Sequence, residues 1–214
     1  MWGRLETCGR LAIGLFLREF SVSGSLLFVP NFHYRRLPHL HADGRPVFLT
    51  WRLHGSLPPN RFFPSEITSG RAFVAMDRIL DQARSGPLHL GRPEIAQLLV
   101  DAILYRQGHL QLHAYVIMAN HVHVLITPRV DVSELMHSLK GFTARKANQI
   151  LGLTGHPFWQ EETYDHLVRD ETEFRRIADY IEFNPVKAGL VTTREEFPWS
   201  SACKSQLVRI QRVD

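Results

Sequence analysis

Hydrophobic and polar positions change period several times along this chain, and each change predicts an element. Val47 to His54, reading VFLTWRLH, is rich in β-branched and aromatic residues and lies between Gly44 and the Pro58-Pro59 pair, which predicts a first strand. From Ser65 onward Phe73, Met76, Leu80 and Ala83 recur at three- and four-residue steps until Gly86-Pro87, the period of a helix. Pro93 suits the first position of a second helix, where a missing N–H costs nothing, and Ile95, Leu99 and Ala102 give that helix a buried stripe. The period then drops to two. Leu110, Leu112, Ala114 and Val116 alternate with Gln111, His113 and Tyr115, and after a tight turn at Ala119-Asn120 a second run of β-formers extends from Val122 to Thr127, closed by Pro128. Asp131 with Glu134 forms a capping box for a long helix carrying Leu135, Leu139, Phe142 and Ile150. Asp170 with Glu173 opens a last helix with the stripe Phe174, Ile177 and Ile181, which Asn184-Pro185 is expected to end or bend sharply. The order strand, helices, hairpin, helices predicts an α+β fold, a mainly antiparallel sheet covered by helices.

Composition narrows the class. The chain has 214 residues, 44% of them hydrophobic and 21% charged, which suits one sizeable core rather than disorder or a fibre. A net charge of +4 permits a polyanionic partner without requiring one. Basic residues collect at Arg35-Arg36, at Lys140, Arg145 and Lys146, and at Arg175-Arg176, and each cluster taken alone is the solvated face of its element. Cys8 and Cys203, near opposite ends, make neither a disulfide framework nor a thiolate zinc site, so a reducing cytoplasm is the simplest location. The apolar stretch Leu11 to Val29 is interrupted by Arg18 and Glu19, short of the roughly 20 residues that cross a bilayer. Glu6 and the lack of a small-x-small cleavage site argue against a secretory signal. Another reading is that residues 1–30 stem from an upstream start codon. The expected organisation is an N-terminal extension over 1–30, one domain over 31–203, and a tail over 204–214.

Chemistry enters with His121-Val122-His123. In a strand both imidazoles project from one face while Val122, Val124 and Ile126 point the other way, so two nitrogen ligands stand side by side with coordination positions left open. Alone, such a pair is equally a half-exposed surface feature among twelve histidines. Tyr180 and Asn184, four residues apart, share a helix face beside the apolar stripe. The amide oxygen of Asn184 can ligate a hard cation, and the phenol of Tyr180 can act as a nucleophile. A phenol with a pKa of about 10 needs a nearby cation to do so at neutral pH. Without the histidines, Tyr180 is a tyrosine at a core margin and Asn184 a helix-end residue before proline. His113 is a surface histidine or a further approach to a metal. No base for the phenol is identifiable, with Asp179, Glu182 and water as candidates.

AYVIMANHVHVLITP (114–128), ELMHSLKGFTARKAN (134–148), FWQEETYDHLVRD (158–170), YIEFNPVKAGLV (180–191) and FPWSSA (197–202) together resemble the REP-associated tyrosine transposases. These are single-tyrosine transposases with a His-hydrophobic-His motif. The resemblance runs from about Arg35 to Ala202 and includes PVFLTWRLHGSLP (46–58), while residues 1–30 match nothing in it. It implies an HUH-endonuclease architecture of ferredoxin-like or RRM-like type, with His121 and His123 as metal ligands, Asn184 as the third ligand and Tyr180 as nucleophile. It also implies Mg²⁺ or Mn²⁺ as cofactor, the two imidazoles fitting Mn²⁺ somewhat better. The implied activity is cleavage and rejoining of single-stranded DNA at hairpin-bearing repeats through a 5′-phosphotyrosine. Lys140, Arg145, Lys146 and Lys187 would pair with phosphates, and Trp159 and Tyr164 would stack on bases unless they pack the core. A monomer is favoured over a homodimer, and no membrane is involved. The rival readings are a water-using metal hydrolase that does not need Tyr180, and a single-stranded or hairpin DNA-binding module that has lost catalysis.

Overall fold

The computed structural model describes residues 44–58, 69–83 and 86–204. Arg35-Arg36, Cys8, the 1–30 extension and nearly all of the 204–214 tail lie outside the described residues. β1 (Val47–Arg52), α1 (Ser69–Asp81), α2 (Pro93–Leu104), β2 (Leu110–Ile117), β3 (His121–Pro128), α3 (Val132–Leu151), β4 (Tyr164–Leu167) and α4 (Glu171–Lys187) follow one another, with short 3-10 turns at His89–Gly91 and Arg194–Glu196. The four strands form one antiparallel sheet in the order β2-β3-β1-β4. The α+β expectation therefore holds. Among the described residues no helix is long and apolar enough to cross a membrane.

Period-two alternation splits the strands between two cores. Leu49 and Trp51 of β1, Tyr115 and Ile117 of β2, and Val122, Val124 and Ile126 of β3 join Ile95, Leu99 and Ile103 of α2 and Leu135 and Leu139 of α3. On the other face Phe48, Val116 and Leu125 meet Phe73 of α1 and Ile181 of α4. The sheet is thus covered by helices on both sides, and whatever β3 presents to α1 and α4 is buried.

Local signals account for most of the boundaries. The Asp131 side chain accepts hydrogen bonds from the backbone N–H groups of Ser133 and Glu134, the cap expected for α3, and Gly152 in the left-handed region (φ 70°) ends that helix. Asp170 likewise caps α4 through the Glu173 N–H. Gly86 (φ 77°) is required by close packing, since a Cβ there would lie 2.3 Å from the Gly55 carbonyl oxygen.

Five expectations need correction. In β2 an irregularity between Leu112 and Ala114 shifts the register, so Leu110, Leu112, Tyr115 and Ile117 face α2 and α3 while Ala114 and Val116 face α1 and α4. α4 does not end at Asn184-Pro185 but runs through Pro185 to Lys187. Proline removes only one donor here, and in the last turn the Asn184 and Pro185 carbonyls are taken up by the Ala188 and Leu190 N–H groups. In α3 Phe142 and Ile150 are exposed, because the buried row runs Leu135, Leu139, Thr143, Ala147 at four-residue steps. In α1 Met76 is only half-buried, and the inward position beside Phe73 and Leu80 belongs to Asp77. β4 has no counterpart in the sequence pattern; four half-buried residues carry too little alternation to announce a strand, and pairing with β1 makes it.

Candidate active site

β3 delivers both histidines to the α1/α4 face. Their rings stand 4.7 Å apart, and both residues are fully buried, which removes the surface-pair reading. Each is oriented through Nδ1. Asn120 donates its amide N–H to the Leu80 carbonyl, 3.0 Å away, which turns its oxygen toward His121 Nδ1 at 2.7 Å. That oxygen only accepts, so His121 carries its proton on Nδ1. Burial pushes the His121 pKa down to about 3, with the neighbouring His123 adding to the effect and Asp77 opposing it. The ring is therefore neutral at neutral pH, with a bare lone pair on Nε2. His123 is held by Thr50, whose hydroxyl lies 2.7 Å from Nδ1, and by the flanking rings of Phe48 and Phe73.

α4 places Tyr180 on this same spot. Its ring packs edge-on against Phe48 and His123, with centroids 6.2 and 5.6 Å away. Asn184, one turn further, is fully buried, and neither of its amide atoms has a hydrogen-bond partner of normal geometry. His121, His123 and Tyr180 thus meet on the α1/α4 face, with Tyr180 directly against His123, and Asn184 lies one turn further along α4.

Sequence reasoning missed the carboxylates that face them. Asp77 of α1 has Oδ1 3.1 Å from His123 Nε2 and 3.7 Å from His121 Nε2, and its Oδ2 accepts the Tyr180 hydroxyl. Asp81, one turn on, has Oδ1 3.8 Å from His121 Nε2 and takes Lys187 Nζ on Oδ2 at 2.7 Å. Burial works to raise the Asp77 pKa, but the charges around it, His123 foremost, outweigh burial and hold it below the usual carboxylate range. Asp81 goes the other way, raised by burial and by the Asp77 charge. Burial, followed by the Asp77 charge and hydrogen bond, pushes the Tyr180 phenol well above its ordinary range, while Asn184 pulls modestly against that. The one available signal was a carboxylate four residues after Phe73, inside an apolar helical stripe.

The donor set fits a divalent cation. Nε2 of both histidines and Oδ1 of Asp77 and Asp81 are buried without hydrogen-bond partners. An unpaired buried polar atom costs about 1–3 kcal/mol, so a cluster of them signals a common partner such as a cation. Asp77, His121 and His123 offer ligand atoms all within 4.8 Å of one another.

The other predicted residues divide. Lys187 belongs to the site, bound to Asp81 and 5.2 Å from the Tyr180 ring centroid. Lys140 is half-buried and spends its ammonium on the Gln160 and Glu161 carbonyls and the Thr163 hydroxyl; burial brings its pKa down to about 8. Arg145 and Lys146 are exposed on α3. Trp159 packs the core against Trp51 and Phe158 and donates to Thr143, which settles it as a packing residue. Tyr164 is half-buried and stacks on Phe73 at 4.2 Å. His113 pairs with Thr127 at the far end of β3 from His121. Glu182 and Asp179 both turn to Arg194. The FPWSSA segment lies along the open edge of β2, where Trp199 O accepts from Ile117 N and Ser201 N donates to Tyr115 O.

Parts of the chain are similar to known proteins. Residues 96–184 match the family model described as "Transposase IS200 like". A putative REP-associated tyrosine transposase of Haemophilus influenzae is 42% identical over 43 residues, 20% of this chain and 24% of that protein. The REP-associated tyrosine transposase of Escherichia coli is 29% identical over 110 residues, 49% of this chain and 63% of that protein. The matches thus span less than two thirds of either relative's length. A solved structure of a REP-associated tyrosine transposase bound to a REP hairpin superposes with a TM-score of 0.54 at 23% identity, covering 83% of this chain and 86% of that one, and shows a shared fold. The family match takes in β3 and α4 as far as Asn184, so this part of the chain is similar to the IS200-like transposases, and shorter stretches are similar to REP-associated tyrosine transposases.

Proposed function

We propose that this chain is a single-stranded DNA endonuclease and strand transferase, acting at hairpin-bearing repeats through a 5′-phosphotyrosine on Tyr180. The observation that carries the reading is the meeting of the Tyr180 ring with His123 and of its hydroxyl with a carboxylate that also faces both imidazoles. His121, His123 and Asn184 would hold the cation, Mg²⁺ or Mn²⁺. That cation supplies charge compensation for the scissile phosphate.

This chain's own residues do the rest. Phe48 and His123 pack the ring of Tyr180 and so limit the directions its oxygen can take, which would help hold it for an in-line attack. The tyrosine oxygen bonds to phosphorus as the 3′ oxygen leaves; the phenol gives up a proton and the 3′ oxygen takes one up. Attack by another 3′-OH reverses the step and joins strands without an external energy source. Arg145 and Lys146 would track phosphates from α3, and Lys187, whose ammonium lies 5.2 Å from the Tyr180 ring centroid, would meet a phosphate beside the nucleophile. The chain's own tyrosine sits on its own histidines, which favours a working monomer. We take 31–203 as the catalytic domain, with 1–30 dispensable for the reaction.

The test is an adduct assay: labelled single-stranded hairpin DNA with Mn²⁺, resolved on a denaturing gel. Wild type forms a protein–DNA adduct; Tyr180→Phe forms none yet still binds DNA; His121→Ala loses cation-dependent cleavage. Cleavage persisting in Tyr180→Phe points to a water-using hydrolase, and binding without cleavage by wild type to a DNA-binding module. Either outcome overturns the proposal.

A further inference from the structure

The residues expected from the sequence leave α1 without a role, yet α1 puts a carboxylate into the centre of the site. We propose that Asp77 is itself a ligand of the cation and, through its second oxygen, the acceptor that holds the Tyr180 hydroxyl, so that α1 completes the centre begun by β3 and α4. This rests on the proposed function, in that it takes the histidine pair to be the cation site.

Distances between ligand atoms carry the argument. A cation with bonds of about 2.1 Å sets adjacent ligand atoms about 3.0 Å apart in an octahedron and about 3.4 Å apart in a tetrahedron. Asp77 Oδ1 is 3.1 Å from His123 Nε2, close to the octahedral edge, and 3.7 Å from His121 Nε2, about 0.3 Å beyond the tetrahedral one. His121 Nε2, His123 Nε2 and Asp77 Oδ1 are all buried without a hydrogen-bond partner, so no hydrogen bond accounts for their convergence. A shared cation gives all three a partner.

The second oxygen gives the geometry its purpose. Asp77 Oδ2 accepts from the Tyr180 hydroxyl and lies 3.5 Å from Lys187 Nζ. One rigid carboxylate therefore spans the cation site and the nucleophile, fixing their separation in a way that no residue of β3 does. The added anionic oxygen also hardens a two-imidazole set, matching Mn²⁺ or Mg²⁺ better than imidazoles alone. Asp81 plays a different part, because its Oδ2 holds Lys187 at 2.7 Å while its Oδ1 stands 3.8 Å from His121 Nε2.

The test measures Mn²⁺ binding to the full chain by titration, followed by the loss of the free-ion EPR signal, without DNA. Wild type binds one Mn²⁺ per chain and His123→Ala binds none. Asp77→Asn and Asp77→Ser each weaken binding at least about tenfold, the scale on which metal sites respond to losing a supporting partner. Asp81→Asn weakens it by less than either. Near-UV circular dichroism of the metal-free variants establishes that they fold, and the two substitutions at Asp77 guard against one failing. Unchanged affinity in a folded Asp77 variant overturns this inference alone. Losses that are equal in Asp77→Asn and Asp81→Asn overturn it too, since they reduce the effect to general negative charge. Wild-type affinity in His123→Ala instead brings down the cation site of the proposed function.

Discussion

The two faces of the sheet are equally buried and obey opposite rules. Toward α2 and α3, β1 and β3 send Leu49, Trp51, Val122, Val124 and Ile126, each withdrawn from water and matched by apolar neighbours. Full burial of one such side chain is worth about 1.5–3 kcal/mol, so this side holds the fold together. Toward α1 and α4 the alternate positions of β3 send His121 and His123, where they meet Asp77 and Asp81 with atoms left unpaired. That side costs stability and gains reactivity. Because side chains alternate along a strand, one segment, HVHV, serves both purposes without compromise. The site is placed by that apolar packing behind the sheet and by Phe48 and Phe73 on its own side.

The largest expected effect breaks the chemistry while sparing the fold. Tyr180→Phe removes the adduct below detection, a loss of about a thousandfold or more on the scale of losing a covalent nucleophile. Its metal-free unfolding midpoint in urea stays near that of wild type, because Phe48 and His123 still pack the ring. Leu49→Ala is the mirror experiment. It lowers unfolding free energy by about 2–5 kcal/mol and leaves the Mn²⁺ affinity of the folded protein unchanged. A shift in metal affinity would show that the two faces are coupled.

Two basic groups on α3 sharpen the contrast between structural and functional charge. Lys140→Ala strands three acceptors and lowers stability by about 1–3 kcal/mol with little effect on DNA affinity. Replacing both Arg145 and Lys146 by Ala leaves stability within about 0.5 kcal/mol and reduces the salt slope of single-stranded DNA binding by about 0.7 for each phosphate pairing removed. Filter binding across a salt series measures the slope.

A smaller effect concerns acid. The Glu173 carboxyl is held down at about 2, chiefly by hydrogen bonds from Arg169, with burial opposing and His166 helping. Its folded pKa lies below its ordinary 4.5, so its contribution to stability is complete above that value and disappears as pH falls toward 2. Urea midpoints of the metal-free protein should drop as the pH falls through that window, and Glu173→Gln should flatten the drop.

How much of this was legible depended on whether the signal was local. The hairpin turn, the Asp131 and Asp170 caps, Pro93 and the apolar stripe of α2 are written in neighbouring residues and appear where the sequence puts them, whereas the irregularity after Leu112 that swaps the faces of Ala114, Tyr115 and Val116 has no such local signal. Strand and helix periods put His121 with His123, and Tyr180 with Asn184, on shared faces, while it was the resemblance to a transposase family that joined the two pairs into one proposed site. Asp77 was not legible. It sits in α1, 103 residues from the tyrosine it accepts from, and only the docking of α1 on the sheet brings the two together. The same holds for Trp159, whose partners Trp51 and Thr143 come from other elements, and for β4, which exists through its pairing with β1.

The central claim is that both imidazoles and the Tyr180 phenol surround one cation on the α1/α4 face. Anomalous diffraction at the manganese edge, from crystals of the full chain grown with Mn²⁺, reads that arrangement directly. The account predicts a single peak within about 2.3 Å of Nε2 of both His121 and His123, with the Tyr180 hydroxyl on the same side. A peak elsewhere, with those nitrogens left bare, would contradict it.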